Sequence, residues 1–137
     1  MRTILCIEAV LIAVAGLTTI VATAPARAQA TQETAYTQFL GEWEGHWNTQ
    51  TSGMVSSTLT ITAINLEKKT ASIKYTQGRL SAYPWPLEIN TEGTFSDERT
   101  LTFSSGATTY TFTLQGEVLK GYRNLNNFTG YFRKKGN

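Results

Sequence analysis

From about residue 40 to the C-terminus, apolar and polar side chains alternate one by one in short runs broken by turn residues. In "TTYTFTL", Tyr110, Phe112 and Leu114 share one face and Thr109, Thr111 and Thr113 the other. In "TASIKYTQ", Ala71, Ile73 and Tyr75 oppose Ser72, Lys74 and Thr76. A period of two is the signature of a strand with one buried face, and it restricts the chain to antiparallel sheet. Thr, Tyr, Phe, Ile and Val dominate these runs, as a half-buried pleated surface requires.

Eight such segments can be read in order. They are Leu40 to Asn48, "VSSTLTITAI" from Val55 to Ile64, "TASIKYTQ", "LEINTEGTF", "RTLTFS", "TTYTFTL", "EVLKGYRN" and "FTGYFRKK". In the second, Val55, Leu59, Ile61 and Ala63 are placed on one face. Most connections are too short for crossovers, and Gly116 in "QGE" can take the positive φ of a tight hairpin. Sequential strands are therefore neighbours, and a sheet of this many strands can close and leave no edge. The expected fold is all-β, an eight-stranded antiparallel up-and-down barrel, with a Greek-key sandwich as the competing arrangement.

The start of the chain reads differently. A basic Arg2, an apolar run from Ala9 to Ala24, a breaking Pro25 and the small residues Ala28 and Ala30 match a secretory signal cleaved after Ala30. The run is roughly 16 residues, short of the roughly 20 that span a bilayer, so no stable membrane insertion is expected after cleavage. Residues 1–30 are assigned to the signal, 31–38 to an N-terminal arm and 39–137 to one barrel domain, secreted or periplasmic. Within the arm, "TQETAYTQF" carries the one hint of helical period.

Removing the signal leaves 107 of the 137 residues, enough for one core. The single cysteine, Cys6, leaves with it, so the mature chain has no disulfide and no thiol chemistry. Formal net charge falls from +2 to +1 when Arg2, Arg27 and Glu8 are removed. That balance is unlike the basic footprint of a nucleic-acid binder.

Candidate chemistry is sparse. Glu42 and Glu44 lie two apart, but on the outer face of the first strand. His46, the only histidine, shares that outer face, which argues against a metal or haem role. No nucleophile elbow, phosphate loop or catalytic constellation is present. No catalytic residue, metal or cofactor is expected, and the chain reads as a non-enzyme.

The first strand, "GEWEGHW", puts Gly41, Trp43, Gly45 and Trp47 together on the inner face. Glycines beside tryptophans let another ring or backbone approach closely. A G-x-W near the mature N-terminus, followed by an eight-strand meander, resembles the calycins: lipocalins, fatty-acid-binding proteins and small bacterial relatives. The resemblance implies that Gly41 and Trp43 plug one barrel end and that a basic residue of the last strand, Arg133, packs over Trp43. It also implies a binding protein for a small apolar or amphipathic molecule, and a closed wall without exposed strand edges points to a monomer. Trp47, Tyr75, Tyr110 and Phe112 would line the interior, with Tyr122 or Arg123 adding a polar tip, although eight strands also allow side chains alone to fill it as a solid core. Tyr83 and Trp85, in the stiff "AYPWP" connection, would stand at the mouth. The small bacterial inhibitors of secreted metalloproteases share the signal, the barrel and an N-terminal arm, which makes an inhibitor of a secreted protease acting through Thr31 to Gln38 the alternative function.

Overall fold

The computed structural model describes residues 24–50, 53–79 and 87–136. The barrel is closed, and its eight strands follow one another around the circumference in chain order. They are β1 (Gly41–Thr49), β2 (Gly53–Asn65), β3 (Thr70–Gln77), β4 (Leu87–Asp97), β5 (Thr100–Ser105), β6 (Thr108–Gln115), β7 (Val118–Arg123) and β8 (Phe128–Lys134). Every pairing is antiparallel, and β1 closes the ring on β8 from Trp43↔Lys134 to Asn48↔Thr129. The sandwich alternative is thereby excluded.

Alternation sets the two faces of the wall. Leu101, Phe103, Tyr110, Phe112, Leu114, Leu119 and Phe132 point inward and are buried, while their threonine and lysine neighbours face out. The second strand departs from its expected pattern. A bulge between Ile61 and Ala63 shifts the register against β3, so Ala63 is exposed and Ile64 packs against the core instead. One extra residue on one strand reverses the facing of everything beyond it.

Ahead of the barrel, Ala24–Thr37 forms helix α1. Its alanine-rich sequence has high intrinsic helix propensity, and Thr31 and Thr34 hydroxyls donate to the carbonyls four residues back. Thr31 to Thr37, expected as a polar arm, is thus the helix's C-terminal half. The helix has no apolar stripe: among its described side chains only Tyr36 is buried. Tyr36 and Phe39 each meet Phe95 edge-on, with ring centroids 4.9 and 5.1 Å apart. Those rings cover one end of the barrel. At the opposite end β1, β3, β5 and β7 finish and β2, β4, β6 and β8 begin. Residues 1–23 of the expected signal lie outside the described residues.

Candidate functional site

The helix end holds the G-x-W motif. Gly41 sits at φ +114°, a conformation closed to most L residues, which turns the chain from α1 into the barrel. Trp43 is 2% exposed and donates its indole N–H to the Phe39 carbonyl at 2.8 Å. The cation above its ring is Lys134, whose Nζ lies 5.2 Å from the ring centroid and donates to the Gln38 carbonyl at 3.0 Å. Arg133, expected there, is exposed on the outer wall. The correction follows from the pleat: Phe132 is buried, so the next inward position is 134.

Of the two first-strand glycines expected to admit a close approach, Gly45 does so, and Gly93, Gly121 and Gly130 are similarly crowded although they were not singled out from the sequence. A β-carbon on Gly45 would fall 2.3 Å from the Tyr131 carbonyl and 2.6 Å from the Phe132 ring. One on Gly121 would fall 2.8 Å from Cη2 of Trp47. The seam between β1, β8 and β7 is therefore closed around the Trp47 and Phe132 rings, whose centroids are 5.3 Å apart.

Toward the far end, the interior is aromatic with polar groups set into it. Trp47 also contacts Tyr110 and Phe112, and Phe103 stacks on Tyr110 at 4.8 Å with 13° between the planes. Tyr75 packs on Tyr110 at 4.9 Å. The Tyr75 hydroxyl accepts from Trp47 Nε1 at 2.7 Å and donates to Gln77 Oε1 at 2.8 Å, with the Ser57 hydroxyl 3.3 Å away. Ser57, Gln77, Thr108 and Arg123 are the buried polar or charged residues among those described. Burial pushes the Tyr75 phenol well above its ordinary range, and burial likewise raises Tyr110, against the lowering influence of the nearby Arg123 charge.

Of the residues expected to line a ligand site, Trp47, Tyr75, Tyr110 and Phe112 are thus brought together in one ring-to-ring cluster. Tyr83 and Trp85 fall outside the described residues. Between Tyr122 and Arg123, the structure selects Arg123: it points inward at 5% exposure, while Tyr122 is exposed on the wall. Ser57 and Gln77 were not singled out from the sequence, although each sits at an inward position of its strand's alternation.

On the outer wall, Lys135 joins Glu42 at 2.9 Å and Glu44 at 3.1 Å, which raises the lysine pKa, chiefly through the hydrogen bond to Glu42. These carboxylates belong to a solvated ion-pair cluster that holds the C-terminal segment to β1. His46 is exposed on the same wall. Among the described residues no three His, Cys, Asp or Glu side chains gather where they could hold a metal ion. Nor, among them, is any helix long and apolar enough to cross a membrane.

No protein-family model matches the sequence, and no curated protein matches it. In three dimensions the chain is similar to the solved structure of a redesigned β barrel. The TM-score is 0.56 at 13% identity, covering 74% of this chain and 96% of that one. At that identity the likeness shows the fold alone, a β barrel.

Proposed function

We propose that this chain is a secreted or periplasmic, calycin-like binding protein for a small apolar or amphipathic molecule, and not an enzyme. The observation that carries the reading is the group of polar atoms on Tyr75, Ser57 and Gln77, set among the buried rings of Trp47, Phe103 and Tyr110. An apolar lining with a few convergent polar groups is the usual composition of a small-molecule site. Gly41 and Trp43 at the opposite end support the calycin reading by closing the barrel beneath that site.

No comparable observation favours a protease inhibitor acting through the arm. Tyr36 and Phe39, the apolar rings of that region, are turned into the barrel end and spent on Phe95.

Native mass spectrometry of the protein recovered from its host tests the proposal. The expected result is a small adduct that is lost on denaturation. Titration with an uncharged probe, N-phenyl-1-naphthylamine, should quench emission from Trp47, which lies inside the cluster. A bare mass together with unchanged tryptophan emission would remove the binding reading.

A further inference from the structure

Arg123 is the last residue of β7, at the end of the barrel opposite α1. Its side chain is buried, and its Nε and Nη1 have no hydrogen-bond partner. Two aromatic faces flank it: the guanidinium carbon lies 5.1 Å from the Phe128 ring centroid and 5.8 Å from that of Tyr110. Rings attract a cation, but they do not accept its in-plane N–H bonds in the manner of an oxygen.

Nothing else among the described interior residues supplies that acceptor. The other buried polar residues there are the neutral Ser57, Gln77 and Thr108, so among the described residues no carboxylate shares the core. The Gln77 carbonyl accepts from the Tyr75 hydroxyl and not from Arg123 Nε or Nη1. A guanidinium stays protonated in a protein, so Arg123 cannot shed its charge as a buried lysine can. A buried charge with no counter-charge is strongly disfavoured, and a barrel of otherwise matched side chains has kept one.

We propose that Arg123 receives the oxyanion head of an amphipathic ligand, a carboxylate or a phosphate monoester. The planar fork of donors on a guanidinium matches either head. The ligand's apolar part would meet the aromatic rings of the same end. This inference rests on the binding reading above and specifies its ligand class.

Calorimetric titration of the protein purified from its host with octanoate, octyl phosphate and octan-1-ol tests it, since the three share one chain and differ at the head. The anions should bind about tenfold to a hundredfold more tightly than the alcohol, as hydrogen bonds to a charged group imply. The tighter anion identifies the head group. In Arg123→Gln that ratio should collapse toward one while octan-1-ol affinity is kept. Because Arg123→Gln could fail to fold, a second measurement needs no substitution. The side-chain Nε–H resonance of Arg123 in the unaltered protein should move with octanoate and stay in place with octan-1-ol. Equal affinities for all three, a preference that survives Arg123→Gln, or an unmoved Nε–H resonance would overturn the assignment while leaving the binding barrel standing. Failure of all three ligands to bind would instead remove both readings.

Discussion

Trp47 on β1 donates its indole N–H to the hydroxyl of Tyr75 on β3, 2.7 Å away across the barrel interior, although β2 separates the two strands in the wall. The same hydroxyl donates to Gln77 Oε1 at 2.8 Å. Tyr75→Phe would leave a buried donor and a buried acceptor without partners. The expected loss is about 1–3 kcal/mol, read as a lower urea midpoint at unchanged slope. An unchanged midpoint would show that water or a neighbouring group satisfies both atoms.

Burial raises the phenols of Tyr75 and Tyr110 above their ordinary value of 10.0. Above that pH the unfolded chain loses protons that the folded barrel keeps, so the folded state binds more protons and stability falls as pH rises. The stabilising contribution is complete below the unfolded value and is lost as pH climbs through the folded one. Urea midpoints measured from about pH 8 to about pH 11 should decline, and the decline should be shallower in Tyr75→Phe. In absorbance titration, Tyr75 and Tyr110 should ionise above the ordinary phenol range.

Gly121→Ala places a β-carbon 2.8 Å from one Trp47 ring atom and 3.0 Å from Cε2 of Phe132. Neither ring has a free direction in which to yield. Overpacking of this kind should lower stability by about 1–3 kcal/mol. Gly136→Ala meets nothing within 4 Å and should stay within about 0.5 kcal/mol of the parent. Thermal or urea unfolding of the pair separates crowding from a general cost of replacing glycine.

Lys134→Met and Arg133→Met form a second matched pair. The former removes a cation from the face of Trp43 and a bond to the Gln38 carbonyl. Its expected cost is about 0.5–1 kcal/mol, accompanied by a shift in tryptophan emission. The latter alters an exposed outward position and should be near neutral. Reversed results would return Arg133 to the role that family resemblance assigned it.

Tyr36→Ala should cost about 3 kcal/mol, because it removes the single buried ring of α1 and uncovers Phe95. A chain beginning at Thr31 keeps Tyr36 and Phe39 and should unfold at the same urea concentration as a longer one. A chain beginning at Leu40 should be markedly weaker. If both truncations behave alike, the last turn of α1 does not hold the barrel end shut.

The wall of the barrel was legible because alternation is a local property. Thr70 to Gln77 and Phe128 to Phe132 need only their own residue order to settle which side chains face in. Family analogy pointed to Arg133 as the cation over Trp43, and the structure puts its neighbour Lys134 there, where the pleat alternates inward after Phe132. Ala63 could not be placed correctly, since a bulge is a decision of the paired strand and leaves no mark in "TITAIN". Helix α1 was only hinted at, because its alanine-rich stretch carries no apolar stripe to announce a docking face. Within the candidate site, the rings were recognisable as inward positions. The hydrogen bonds from Tyr75 to Gln77 and from Trp47 to Tyr75 depend on how the barrel curls, which no single strand encodes.

The order of strands in the wall also determines how the chain can reach this state. Seven of the eight inter-strand pairings join strands consecutive in sequence, and only β1 with β8 requires the two ends of the barrel domain to meet. Hairpins can therefore form early and at small entropic expense, while the last seam waits for a long loop to close. That late seam is where Gly45 and Gly130 give up their side chains to let backbones touch, and where Lys135 ties the final residues to Glu42 and Glu44. The pairing that closes the longest loop is thus also the one where, at Gly45 and Gly130, a carbonyl of the facing strand leaves no room for a β-carbon.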